Sequence, residues 1–340
     1  MKNTIIICCL LLLAGCGKPT ATQVYTTCDM TSIYSHTSFP VGVAVDAYKL
    51  QTNDQYRNIV IAQFNSLTGE NAFKFESVEP AEGQYNWTET DYIADFARQY
   101  GKRLHGHTLV WHSQLPDWVP GYTGDWRSML RDHITQEVGR YKDVIHSWDV
   151  VNEAFNEDGT LRSTLWLTHL GTGYIQMAFE DAHAANPQAK LFYNDYNLEW
   201  NPQKLDGVLR LLTQLRAAGV QVDGIGMQMH ISSSYPDISL AGDAAKKIAN
   251  TGFLVHFSEL DVNMKEPDSR TLLSADEQQQ QARRYAAVFT AYSQLSPAQQ
   301  FGITLWGVSD ADSWIVRGLP LLFDNNYTSK PAYCACKSLK

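Results

Sequence analysis

Trp148-Asp149-Val150-Val151-Asn152-Glu153-Ala154-Phe155 is an apolar run that ends on a carboxylate, and Val255-His256-Phe257-Ser258-Glu259-Leu260-Asp261 repeats the design farther along the chain. A carboxylate just past a buried strand is costly unless something pairs with it or uses it. Working outward, strand-like runs fall at 41–47, 66–75, 103–112, 144–153, 190–196, 224–230, 254–262 and 302–308. Amphipathic segments alternate with them, as at 125–141, 173–185, 202–218 and 275–294. The last opens on Ser274 with Glu277 three residues on, a capping box, and residues 278–281 inside it read as a solvated glutamine face. Alternating strands and helices with no break in composition point to an α/β fold, a closed (β/α)8 TIM barrel, as one catalytic domain over 33–340. An open doubly wound sheet is the alternative; the absence of a glycine-rich phosphate loop after the first strand speaks against it.

In a parallel barrel, chemistry gathers where the strands end. Gly69-Glu70-Asn71-Ala72-Phe73-Lys74 places an acid, an amide and an amine together at the second strand. Gly106-His107-Thr108-Leu109-Val110-Trp111-His112 ends the third, and strand alternation puts His107 and Trp111 on one face. Asn194 with Tyr196, and Gln228 with His230, share faces by the same rule. Trp306 ends the eighth strand, and Trp314 follows in its loop. Any one of these residues has an ordinary structural explanation. Desolvating polar groups on six of eight strands at one rim, with no ligand to meet them, would be destabilising. His107 and His112 are five apart, not the helical pair of a zinc protease.

The chain has 340 residues, 44% of them hydrophobic and 19% charged, which is ample for a large core. Its formal net charge of −9 and the lack of a basic stripe argue against nucleic acid as a partner. Nine Trp and 17 Tyr suit flat ligands, though such rings pack cores equally well. Lys2 and the apolar stretch 5–13 read as an export signal too short to span a bilayer. Leu13-Ala14-Gly15-Cys16 resembles a bacterial lipobox, which implies removal of 1–15 and lipid on Cys16; an ordinary signal cut near Ala14 is the alternative. Gly17 then implies the outer membrane or cell surface, so the lipid anchor would be the sole membrane contact. Residues 16–32 are polar and read as a tether. Exported cysteines meet oxidising conditions. One disulfide is therefore open to the chain: Cys28 with Cys334 or Cys336 would tie the two ends together and leave an odd thiol, and Cys334-Ala335-Cys336 does not match a zinc ribbon.

The ordered motifs carry a resemblance. The stretch Gly106 to Gln114, Trp148 to Glu153 and Ser258-Glu259-Leu260-Asp261 are similar to glycoside hydrolase family 10, the endo-β-1,4-xylanases. So are Glu70-Asn71 with Lys74, Glu79-Pro80, Gln228-Met229-His230, Trp306-Gly307, Pro320-Leu321-Leu322-Phe323-Asp324 and Lys330-Pro331-Ala332-Tyr333, over roughly 38–336. The resemblance implies an eight-stranded barrel and hydrolysis of internal xylosidic bonds of xylan with retention of configuration. It implies Glu153 as acid/base and Glu259 as nucleophile. Asn152 would hold the sugar 2-hydroxyl, and His230, with Asp261 beside it, would bond the nucleophile. Glu70, Asn71, Lys74, His107, Trp111 and Gln228 would line the non-reducing side. Trp306 and Trp314 would form the aromatic wall that disfavours a hydroxymethyl group. Phe73 and Phe75 depart from residues often Met and Trp there. Two carboxyl groups suffice for this chemistry, so no metal or organic cofactor is expected. Xylan and xylo-oligosaccharides are the expected partners, and nothing demands more than a monomer. A cell-surface glycan-binding protein that has lost catalysis and a β-glucanase on the same barrel are the competing readings.

Overall fold

The computed structural model describes residues 24–26, 28–264 and 272–338; residues 1–15, read as an export signal, and Cys16 lie outside them. Among the described residues nine strands run parallel: β1 (Val41–Val45), β2 (Ser66–Gly69), β3 (Arg103–Val110), β4 (Ile145–Asn152), β5 (Lys190–Asp195), β6 (Gly224–Met227), β7 (His230–Ser232), β8 (Leu254–Asn263) and β9 (Gln300–Leu305). Neighbours pair in chain order from β1 to β6, β6 pairs with β8, and β9 returns to β1. The sheet therefore closes as an eight-membered (β/α)8 TIM barrel whose sixth member is split into β6 and β7.

Helices α1 (Ala47–Thr52), α2 (Asp54–Gln63), α3 (Phe75–Val78), α4 (Thr88–Tyr100), α5 (Trp126–Arg140), α6 (Leu165–Leu170), α7 (Tyr174–Ala185), α8 (Pro202–Ala217), α9 (Ile238–Asn250), α10 (Ala275–Ser293) and α11 (Pro331–Cys336) surround it. The strands are buried on both faces, as a parallel sheet covered by helices requires. Inside, close approach demands glycine: a Cβ on Gly106 would stand 2.0 Å from the Trp148 ring.

Three expected elements differ. The strand expected over 66–75 stops at Gly69 and the chain turns into α3. The alternating Phe73 and Phe75 imitate a strand, but Phe73 folds back beneath Gly69, where a Cβ would come within 2.6 Å of its ring. The strand expected over 224–230 breaks at Gln228-Met229, with Met229 left-handed at φ 63°. The glutamines 278–281 are not a solvated face. Gln281 is fully buried and donates to the Val262 and Leu319 carbonyls, while Gln279 bonds both backbone groups of Tyr25. The capping box on α10 forms as expected. Within the segment read as a tether, Tyr25 is buried and Cys28 is bonded to Cys334; among the described residues Cys336 is left as a buried free thiol.

Candidate functional site

The C-terminal strand ends surround a cleft of about 480 Å³. Its lining includes Glu70, Asn71, Lys74, His107, Trp111, Asn152, Glu153, Gln228, His230, Glu259, Trp306 and Trp314. Every site residue expected from the sequence, apart from the Cys16 lipidation site, therefore meets in one place.

Register explains much of the contact pattern. Aligned residues of a parallel pair point to the same face, and three aligned pairs are hydrogen-bonded. His107 sits opposite Asp149 and its Nδ1 lies 2.9 Å from Asp149 Oδ2. Asn194 sits opposite Asn152 and donates through Nδ2 to its Oδ1 at 2.9 Å. His230 sits opposite Asp261, with Nδ1 2.9 Å from Oδ2.

Glu259 is buried, 5% exposed. Its Oε1 accepts from Asn194 Nδ2 at 2.7 Å and its Oε2 from His230 Nε2 at 3.1 Å. Burial opposes the negative charge. The His230 bond, the field of His107 and the Asn194 bond outweigh it and hold the carboxyl below its ordinary range. Burial likewise opposes charge on His230, but Asp261 and Glu259 on its two ring nitrogens overcome this and hold the ring protonated well above the usual histidine range. The His230 ring thus sits between two carboxyl groups. Asp261 Oδ2 also accepts from Trp314 Nε1 at 2.9 Å, which orients that half-exposed indole over the cleft.

Glu153 follows the last residue of β4 with φ 57°. A non-glycine residue in this region is held there by its surroundings, a pattern that clusters at functional sites. Its amide donates to the Asn194 carbonyl at 2.9 Å, and its Oε1 accepts from Gln228 Nε2 at 3.0 Å. Gln228 Nε2 also reaches Asn152 Oδ1 at 3.3 Å. A continuous amide relay of Gln228, Asn152 and Asn194 therefore joins the two glutamates across the cleft.

At the other end, buried Lys74 donates to Gln114 Oε1 at 2.7 Å and Asn71 Oδ1 at 2.9 Å, and lies 5.0 Å from the centre of the Trp111 ring. Burial draws its proton affinity down, against the pull of Glu259 and Glu70. Burial raises the Glu70 carboxyl, which Lys74 partly offsets. This end offers hydroxyl-sized donors and acceptors beside a flat indole.

Gln114, Tyr196 and Asn197 also line the cleft and Asn194 bonds Glu259, although none of the four was among the site residues expected from the sequence. The shared face of Asn194 and Tyr196 was the available signal for those two; Gln114, left-handed at φ 47° in the loop after β3, closes the stretch Gly106 to Gln114 that carries the family resemblance, and Asn197 gave none. Among the described residues, His105, Asp149 and His256 bring one ligand atom each within 4.8 Å of one another. They are buried inside the barrel, outside the cleft lining, and Asp149 Oδ2 already meets His105 Nε2 at 3.1 Å and His107 Nδ1 at 2.9 Å.

A cleft with two carboxyls, one kept ionised and one reached by amide donors, between polar groups and indole rings, suits acid–base and nucleophilic chemistry on a polyhydroxylated ring. The sequence model of glycosyl hydrolase family 10 matches residues 30–339. The chain is 42% identical over 288 residues to Endo-1,4-beta-xylanase 2 of Aureobasidium pullulans, covering 79% of this chain and 78% of that one. It is 37% identical over 325 residues to Exoglucanase XynX of Acetivibrio thermocellus, covering 90% of this chain but 29% of that longer protein. Among solved structures, a mutant of TsXylA, an intracellular xylanase from Thermoanaerobacterium saccharolyticum, in complex with xylotetraose, superposes with a TM-score of 0.84 at 37% identity over 91% of this chain and 98% of that one.

Proposed function

The chain belongs to glycosyl hydrolase family 10 and is a glycoside hydrolase, and from that premise we propose that it is a retaining endo-β-1,4-xylanase acting on xylan by double displacement. The observation that carries the reading is the pairing of Glu259, ionised by His230 and Asn194, with Glu153 across the amide relay.

Glu259 attacks the anomeric carbon while Glu153 gives its proton to the departing glycosidic oxygen, so the glycosyl group passes to Glu259 as an ester. Water then adds to the same carbon, Glu153 takes its proton, and Glu259 leaves as a carboxylate. Asn152 Oδ1 accepts from Asn194 at 2.9 Å and its Nδ2 lies only 3.5 Å from Glu153 Oε1, so Nδ2 is the donor this reading assigns to the sugar 2-hydroxyl. Trp306 and Trp314 crowd the cleavage point, which favours a pentose over a ring bearing a hydroxymethyl group.

Proton NMR of xylohexaose hydrolysis tests both halves. The first-formed product is expected as the β-anomer from internal cuts; an α-anomer first, or release of one sugar at a time from an end, overturns the reading. Comparable rates on xylan and carboxymethyl cellulose would instead favour a β-glucanase, the reading in line with the exoglucanase relative. We also propose export and lipid attachment at Cys16. Cys16→Ser should release the protein from the membrane fraction and abolish incorporation of labelled palmitate; unchanged labelling refutes this.

A further inference from the structure

Arg162 stands behind the cleft wall, outside its lining, and its fork reaches three acceptors. Nε donates to the carbonyl of Glu153 at 3.0 Å, and Nη2 donates to the Phe155 carbonyl at 3.2 Å and to the Tyr196 hydroxyl at 2.6 Å. The first acceptor belongs to the residue in the left-handed conformation at the end of β4. The third belongs to a cleft-lining ring at the end of β5.

The surroundings make this arrangement rigid. A short hairpin carries Arg162 back to the strand: Phe155 bridges Leu161, Asn156 N donates to the Thr160 carbonyl at 2.8 Å, and Arg162 N donates to the Ala154 carbonyl at 2.8 Å. The turn at Gly159, φ 77°, seats on α8, where any Cβ would come within 2.4 Å of the Gln203 carbonyl. The Tyr196 ring is also held by the buried Lys204, whose Nζ lies 3.5 Å from the ring centre and pairs with Asp195 Oδ1 at 2.8 Å. One guanidinium therefore ties the backbone of Glu153 to the ring beside it in the cleft.

We propose that Arg162 is a positioning residue for protonation of the leaving group, coupling the orientation of the acid Glu153 to a sugar seated against Tyr196. The acid must stand beside the departing oxygen, so the sugar leaving with that oxygen lies on the Glu153 side of the cleavage point, where Tyr196 lines the cleft. In the first step, which kcat/KM reads, a displacement of the acid by a fraction of an ångström slows only substrates whose leaving group needs a proton; the second step, in which Glu153 takes a proton from water, is common to all of them. The inference rests on the assignment of Glu153 as the acid.

The test compares Arg162→Met, Arg162→Lys and Tyr196→Phe with the parent on xylotetraose and on an activated nitrophenyl xylobioside. Thermal melts establish that each variant is folded. Arg162→Met is expected to lose roughly 10- to 100-fold in kcat/KM on xylotetraose and less than about threefold in kcat/KM on the nitrophenyl substrate. Arg162→Lys, which keeps the charge without the fork, should recover only part of the loss. Tyr196→Phe leaves the guanidinium in place and should show the same bias at smaller size. The double variant should be no worse than Arg162→Met, since the two groups act through one contact. Equal losses on both substrates, no loss on either, or additive losses overturn the proposal. Glu153→Ala, run alongside, keeps two failures apart. If it lacks the leaving-group bias, the acid assignment fails; if it shows the bias and the Arg162 variants do not, only this inference fails.

Discussion

Replacing Asn194 by Ala tests how the nucleophile is kept charged. Asn194 is fully buried, and its one amide nitrogen donates to Glu259 Oε1 at 2.7 Å and to Asn152 Oδ1 at 2.9 Å. Glu259 is itself buried, so water cannot readily replace the lost donor. A hydrogen bond to a charged group contributes about 2 kcal/mol, and its loss should make ionisation of Glu259 harder by roughly that amount, a factor near thirty. The sign follows from the direction of the shift. Glu259 is held below its ordinary range, so the ionised form is active above its folded pKa and is lost as pH falls through it. Without Asn194 that acidic limb moves to higher pH. At pH below the limb, kcat/KM should fall roughly thirtyfold further than on the plateau, where only the loosened Asn152 contributes. Stability follows the same linkage. The charge contributes above the unfolded carboxyl value of about 4.3 and its contribution disappears as pH drops through the folded value. The gap in unfolding free energy between parent and variant should thus be wide at neutral pH and narrow in acid. The assays are kcat/KM on xylotetraose across acidic to neutral pH and urea unfolding at both ends of that range. An acidic limb that stays in place or moves lower refutes the argument that Asn194 sustains the charge.

Three further outcomes are expected. Ser274→Ala removes the reciprocal cap in which Ser274 Oγ accepts from Glu277 N at 3.3 Å and Glu277 Oε2 accepts from Ser274 N at 2.8 Å; urea unfolding should show a loss of about 1 kcal/mol with kcat unchanged. Gly106→Ala drives a methyl to 2.0 Å from the Trp148 ring, so the melting temperature should drop by an amount equivalent to at least about 1–3 kcal/mol; an unchanged melt would show that the barrel interior can yield there. Cys28 and Cys334 are 306 positions apart and close almost the whole chain into a loop. Replacing both by Ser should cost about 2–4 kcal/mol, and a reductant that lowers the parent's stability should leave the variant's unaffected.

The residue pattern alone determined that this is a parallel barrel with its chemistry at one rim, because strands buried on both faces must be apolar throughout and any polar side chain at their ends stands out. Glu153, Glu259, His230 and Gln228 were legible for that reason. The same rule overran where apolar alternation continued past a strand, as at Phe73 and Phe75, and where a strand broke at Gln228-Met229, because alternation reports a face and carries no information about where pairing stops. The glutamines of α10 misled in the opposite sense: a buried carbonyl row from Val262 and Leu319 awaited a donor that only packing could reveal. Only the tertiary structure decided that Cys28 joins Cys334 and leaves Cys336 free, since both candidates lie on one short helix. It alone brought Asn194 to Glu259 across 65 positions and Arg162 to both Glu153 and Tyr196. Such contacts depend on the register between strands separated by whole helices, and register is set by how the barrel closes, a property of all eight members together.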